Sequence, residues 1–150
     1  MPAKTRGQQA MALAALPLTT NVTVKRGRVR WHGCLRPTPL SASYTLRIDY
    51  KPPSPPIVSV IFPTLEPRAC EDLPHIYDDG DLCLCYPWQW DGSQLIATTI
   101  VPWASEWLAH YELWKITGKW HGGGHEPTKP DEDVQGDARS PTGAPGFDTP

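Results

Sequence analysis

Two strand-like segments separated by a proline-rich break constrain the fold of this chain more than any other feature. The first, YTLRIDY from Tyr44 to Tyr50, alternates apolar and polar residues, as a strand with one buried face does. KPPSPP follows it, and because proline has no N–H to donate to a sheet, the strand must end there. IVSVIF, rich in β-branched residues, then resumes as a second strand.

A further strand is predicted upstream, over GRVRWHGCL from Gly27 to Leu35. Three successive strands with short connections predict an antiparallel meander, with room for a short fourth strand. The chain also has 18 prolines and 12 glycines among its 150 residues, so we expect many loops and no long unbroken helix.

Helices are predicted on both sides of the meander. Thr5 to Leu16 is expected to form a short amphipathic helix. A second helix is predicted near Ser105–Thr117, with a stop at Gly118. Five apolar residues fall at helical spacing there: Ala104, Trp107, Leu108, Tyr111 and Trp114. The pattern predicts one α+β domain over residues 1–125, followed by a disordered Pro/Gly-rich tail over 126–150.

The charge balance excludes several classes of partner. Fourteen basic and 16 acidic residues give a net charge of −2, so no global field attracts nucleic acid or an anionic membrane. We interpret KRGRVR, Lys25 to Arg30, as a solvated strand face. The apolar run Met11 to Leu16 is too short for a secretory signal or for a membrane span of about 20 residues. The sequence thus predicts a cytoplasmic protein with reduced cysteines, no nucleic-acid partner and no membrane association.

The stretch DDGDLCLC is where chemistry is expected. If Leu82 and its successors are extended, Cys83 and Cys85 point to one exposed face while Leu82 and Leu84 point into the core. His75 lies eight positions before Cys83, across an acidic turn, and can fold back beside it. A nearby imidazole or a cluster of backbone N–H groups could lower the thiol pKa or stabilise an oxyanion.

The acidic residues of that turn act in the opposite direction. Asp78, Asp79 and Asp81 are expected to raise the pKa of the thiols. A weakly activated thiol attacks amides poorly but can exchange with a thioester, which is already activated. The pattern therefore favours acyl carrying over proteolysis. The alternative is that these cysteines are small buried apolar residues.

A zinc site is the main rival interpretation. Cys83, Cys85, His121 and His125 could form a Cys₂His₂ set, and HGGGH has a spacing found in zinc fingers. Because Cys-x-Cys is tighter than the usual spacing, we predict no metal. The chain also has no P-loop or dinucleotide fingerprint, so no cofactor is expected and any activated acyl group must come from elsewhere.

Five of the seven tryptophans and three of the histidines divide into two groups. Trp88 and Trp90 alternate after the cysteines and are predicted to be partner-facing anchors. The rest are expected to be structural or in no recognisable constellation: Trp103, Trp107 and Trp114 in the core, and His32, His110 and His121 elsewhere.

LPHIYDDGDLCL resembles the active-site stretch of ubiquitin-conjugating enzymes, in which a His-Pro-Asn tripeptide precedes a Gly-x-Ile-Cys-Leu-type segment. The resemblance implies that Cys83 is the thioester-forming nucleophile and that Cys85 is a secondary candidate. Leu73-Pro74-His75 takes the place of the tripeptide. His75 therefore occupies the position of an asparagine that supports the loop and the oxyanion, and a histidine there could also deprotonate an attacking amine.

The chain is most similar to stand-alone prokaryotic members of this family, through HIYDDGDLCLCYP and TTIVPWASEWLAHYELWKITGKWHGGGH, over residues 22–125. Such members are found beside cGAS/DncV-like nucleotidyltransferases in CBASS anti-phage systems. The resemblance implies a ubiquitin-conjugating-enzyme-like fold and a transferase that acts on the nucleotidyltransferase at its C-terminus. It leaves open the acyl donor, the target amine, the direction of the reaction and the oligomeric state. A catalytically silent binding module for the nucleotidyltransferase is the alternative.

Overall fold

The structure, a computed structural model, describes residues 1–122, so the predicted tail and His125 lie outside the described residues. Four strands pair in their chain order to form an antiparallel sheet, which confirms the predicted meander. In chain order the elements are α1 (Arg6–Ala14), β1 (Thr19–Lys25), β2 (Arg28–Leu35), β3 (Tyr44–Tyr50), β4 (Ile57–Phe62), a 3₁₀ turn (Ile96–Thr98) and α2 (Ile100–Thr117).

The central strands bury alternate residues, as the alternation of apolar and polar residues in the sequence predicts. Along β3 every second residue, from Tyr44 to Tyr50, is buried, and β2 buries Val29, Trp31 and Leu35 on the same side of the sheet. β1 is the strand that the sequence did not locate. None of its residues is buried, because it lies at the edge of the sheet, so it has no apolar alternation to recognise.

Helix α1 is slightly shorter than the predicted Thr5–Leu16 segment. Thr5 caps its N-terminus in a reciprocal capping box with Gln8. Its buried face carries a polar residue, Gln9, whose side-chain amide donates to the Gln94 carbonyl at 2.8 Å and accepts from the Ile96 N–H at 2.9 Å. The buried amide therefore ties α1 to the segment that leads into α2.

Helix α2 buries all five of the residues predicted from helical spacing. It ends at Gly118, whose φ of 77° lies in the left-handed region and whose N–H donates to the Trp114 carbonyl at 2.8 Å. Glu112 fastens α2 to the start of β3, because its carboxylate accepts hydrogen bonds from the Ser41 and Tyr44 hydroxyls at 2.6 and 2.9 Å. This anchoring fixes the helix face that borders the cysteine segment.

Within the described part of the chain, neither helix has the length and apolar character that crossing a membrane would require.

Candidate active site

A short hairpin places His75 beside Cys83. Ile76 and Leu82 form an isolated antiparallel bridge, and the Cys83 N–H donates to the His75 carbonyl at 3.0 Å. The turn is closed by the Gly80 N–H, which donates to the Tyr77 carbonyl at 2.8 Å. The expectation that His75 folds back across the acidic turn is therefore confirmed.

The hairpin is held from both sides. The Leu82 N–H donates to the Val58 carbonyl of β4 at 2.9 Å, so the hairpin is attached to the sheet. On the other side, the Trp107 indole N–H of α2 donates to the His75 carbonyl at 3.0 Å. His75 has a φ of 52°, an uncommon conformation for a residue other than glycine. Its carbonyl, which accepts from Cys83 and Trp107, joins the cysteine segment to the helix.

The prediction that both sulfurs lie on one exposed face is wrong. Cys83 is 1% exposed and Leu82 is 4% exposed, so two consecutive residues are buried instead of alternating. Leu84 and Cys85 are both half-buried. The reason is that the hairpin packs between β4 and α2 instead of forming an outer strand with one free face.

Cys83 nevertheless contributes to the wall of an open cleft of about 590 Å³, which it shares with His75 and Cys85. The structure therefore brings together the three cysteine and histidine side chains that the sequence singled out. Aromatic rings and two polar residues of α2 form much of the remaining wall. The other lining residues are Leu84, Tyr86, Gln89, Trp103, Glu106, Trp107, His110 and Trp120.

Tyr77, which the sequence did not single out, has a hydroxyl beside the Cys83 side chain. Its hydroxyl is hydrogen-bonded to Cys83, and this bond, followed by burial, raises the pKa of Tyr77 to about 12. Burial, followed by the charge of neighbouring Cys83, raises the pKa of Cys85. The carboxylates of the turn do not contribute to the raised pKa of Cys85. One of them, Asp81, accepts a hydrogen bond from the Ser59 hydroxyl of β4 at 2.7 Å.

We expect Tyr77→Phe to change the pH dependence of stability. The folded protein keeps the Tyr77 proton up to a pKa of about 12, whereas an unfolded tyrosine loses it around its ordinary value of 10.0. The contribution of Tyr77 to the free energy of unfolding is therefore fully present below pH 10.0 and is lost as the pH rises towards 12. We expect the free energy of unfolding, measured by urea denaturation with tryptophan fluorescence, to fall more steeply above pH 10.0 in the wild type than in Tyr77→Phe. If it falls equally in both, the hydrogen bond between Tyr77 and Cys83 is contradicted.

The two tryptophans expected to face a partner have different environments. Trp88 is 78% exposed, and its ring stacks on Tyr86 with centroids 4.6 Å apart. Trp90 is buried at 8% exposure, so it is not a surface anchor. Its indole N–H donates to the Thr99 hydroxyl at 3.0 Å, and its ring meets Tyr50 edge-on. These two contacts explain why Trp90 belongs to the core.

Glu106, His110 and Trp120 are cleft residues that the sequence analysis missed. Glu106 and His110 are four residues apart on α2, with 3.5 Å between Glu106 Oε1 and His110 Nε2. That spacing puts two side chains on one helix face and was a readable signal. Trp120 lies beyond the helix stop, where no periodicity indicates its position, although its ring centroid is 4.9 Å from that of His75.

The zinc interpretation finds no support among residues 1–122. No three or more His, Cys, Asp or Glu side chains in this part of the chain are grouped to hold a metal ion. His121 is at 3.5 Å from the Thr117 hydroxyl, and His125 lies outside the described residues.

The chain matches a known protein family. A family model described as a type II CBASS E2 protein matches residues 8–127, which include the hairpin and α2. No curated protein matches the chain. The N-terminal helix, four-stranded antiparallel sheet and C-terminal helix are consistent with an E2-like fold.

Proposed function

Because this chain belongs to the type II CBASS E2 proteins, we propose that it is a conjugating-type transferase whose Cys83 carries an acyl group as a thioester. The observation that supports this most is the position of Cys83. Its side chain lies in the wall of a large aromatic-lined cleft, and its backbone is fixed by His75. A nucleophile must be held in a defined position relative to its acyl donor for efficient attack.

The proposed first step takes an acyl group that is already activated, such as an acyl adenylate or a thioester. The Cys83 thiolate attacks the carbonyl carbon, a new C–S bond forms, and the activating group departs with its bonding electrons. The Cys83 thioester then transfers the acyl group to an amine or to water. We propose the C-terminus of the cGAS/DncV-like nucleotidyltransferase as the acyl donor, as the family resemblance implies.

His75 and Tyr77 are proposed to support this chemistry in different ways. Tyr77 hydrogen-bonds the Cys83 sulfur and orients it. The His75 carbonyl fixes the peptide of Cys83, and the His75 imidazole lines the same cleft, against Trp120. We assign His75 to support of the loop and of the developing oxyanion, and Cys85, half-buried in the same wall, to a secondary position.

A binding module without catalysis is the second candidate. Two observations favour it. Cys83 is 1% exposed, so solvent hardly reaches its side chain, and Trp88 is 78% exposed. Exposed tryptophans are frequent anchors in protein interfaces. In this case Trp88 and Tyr86 would bind the nucleotidyltransferase without forming a covalent bond.

Intact-mass spectrometry after co-expression with the nucleotidyltransferase separates the two candidates. The transferase account predicts an adduct equal to the sum of both chains less one water, and hydroxylamine at neutral pH should release it. A stable complex on gel filtration without any adduct, in cells that also supply the activated acyl donor, would instead support the binding module.

A further inference from the structure

The cleft beside Cys83 has the chemistry of a site for a cation. Four aromatic side chains contribute to its wall: Tyr86, Trp103, Trp107 and Trp120. Trp107 and Trp120 are in contact, with centroids 5.2 Å apart and planes inclined by 59°, so they present ring surface in two directions. The faces of such rings attract ammonium groups.

The charge of the lining is also suited to a cation. Glu106 is the only carboxylate among the described residues that form the wall, and no lysine or arginine is among them. Its side chain is 67% exposed, so a ligand can reach the carboxylate from solvent. Aromatic walls with one carboxylate and no basic residue attract a primary ammonium and repel a phosphate or a carboxylate.

His110 lies next to this carboxylate, one helical turn further along α2. Its Nε2 is 3.5 Å from Glu106 Oε1, and its buried Nδ1 has no hydrogen-bond partner among the described residues. The backbone of Gly122 lies directly against the ring, because a Cβ there would be 2.5 Å from His110 Nε2. The imidazole is thereby confined between Gly122 and α2, beside the Glu106 carboxylate.

We propose that Glu106 and His110 form the subsite that binds and deprotonates the acceptor amine of the proposed transfer. This inference rests on the proposed function. The ammonium is held by Glu106 and the aromatic rings and gives one proton to His110. The neutral nitrogen attacks the thioester carbonyl, the C–N bond forms and the C–S bond breaks. The nitrogen loses its second proton to the departing Cys83 sulfur, and His110 returns the first proton to water.

The first test isolates the Cys83 thioester of the wild type and of each variant and follows its discharge by intact-mass spectrometry. Free lysine, which is cationic, is compared with hydroxylamine, which is neutral near pH 7. Glu106→Gln should raise the KM for lysine about fivefold or more. His110→Asn should lower the maximal rate with lysine about 100-fold near neutral pH, and the deficit should narrow as the pH rises towards the pKa of free lysine. Discharge by hydroxylamine should stay within about twofold of the wild type.

Matched controls come from outside the cleft. Glu66→Gln removes an exposed carboxylate that is 4.0 Å from Lys115, and His32→Asn changes a histidine of β2. Both should discharge lysine as the wild type does. If Glu106→Gln and His110→Asn also match the wild type while the thioester forms normally, the inference is overturned and the proposed function stands.

A second measurement does not need the thioester. n-Butylammonium should quench the tryptophan fluorescence of the resting protein, n-butanol should not, and Glu106→Gln should weaken the binding about fivefold or more. Quenching that is lost in Glu106→Gln, in a protein that never forms an adduct, would support the cation subsite and refute the transferase. Equal binding by wild type and Glu106→Gln would overturn the inference.

Discussion

Cys83→Ala is expected to abolish the covalent adduct with the nucleotidyltransferase, a loss of at least about a thousandfold, because the variant has no nucleophile at the cleft wall. Cys85→Ala should retain the adduct, since its sulfur is in a secondary position and its pKa is raised by burial. Cys83→Ser should form, slowly, an oxyester that resists the hydroxylamine treatment that cleaves a thioester. Intact mass of the three variants after co-expression measures all of these outcomes.

The control for this series is that each variant still folds. Cys83 is 1% exposed, so its replacement by alanine removes buried volume, and the variant must be shown to bind the nucleotidyltransferase on gel filtration. Cys83→Ser keeps nearly the same volume and serves as the isosteric comparison. Retention of the adduct in Cys83→Ala together with its loss in Cys85→Ala would show that Cys85 is the nucleophile and would refute the assignment.

Gly33→Ala is expected to have the largest effect on stability. Gly33 and Trp31 lie on the same face of β2, and the Trp31 ring covers Gly33 so closely that a Cβ would be 2.2 Å from the ring. Trp31 cannot move aside, because it is fully buried and its indole N–H donates to the Thr19 hydroxyl at 2.8 Å. We expect a loss of about 3 kcal/mol or more in the free energy of unfolding, measured by urea denaturation.

Gly7→Ala is the matched control for this substitution. At Gly7, in the first turn of α1, the nearest atom to an added Cβ is 3.8 Å away. Alanine has the higher helix propensity, so we expect Gly7→Ala to be neutral or to stabilise the protein by up to about 1 kcal/mol. Equal stabilities of the Gly33→Ala and Gly7→Ala variants would contradict the packing described for Trp31.

Periodicity predicted the elements that bury a regular face. β3 and α2 have strong alternation and strong helical spacing, and both were located from the sequence alone. β1 lacks a buried residue and was not. The role of Gln9 was equally invisible, because its partners Gln94 and Ile96 are more than 80 residues away in the chain. Long-range hydrogen bonds leave no local pattern.

The site was predictable where the chain folds back on itself and not where distant elements meet. The turn of residues 78–81 indicated that His75 returns to Cys83, and it does. The burial of Cys83 depends on β4 and α2, which a local pattern cannot report. Trp90 was misassigned for the same reason, since Tyr50 of β3 is what covers it. The Glu106–His110 pair was readable as neighbours on a helix, but its position at the cleft depends on how α2 packs.

The most direct test of the central claim is tandem mass spectrometry of the digested wild-type adduct, which identifies the cysteine that carries the acyl group. The account predicts a cross-linked peptide in which the C-terminal residue of the nucleotidyltransferase is attached to Cys83. Attachment to Cys85, Cys34 or Cys70 would contradict it.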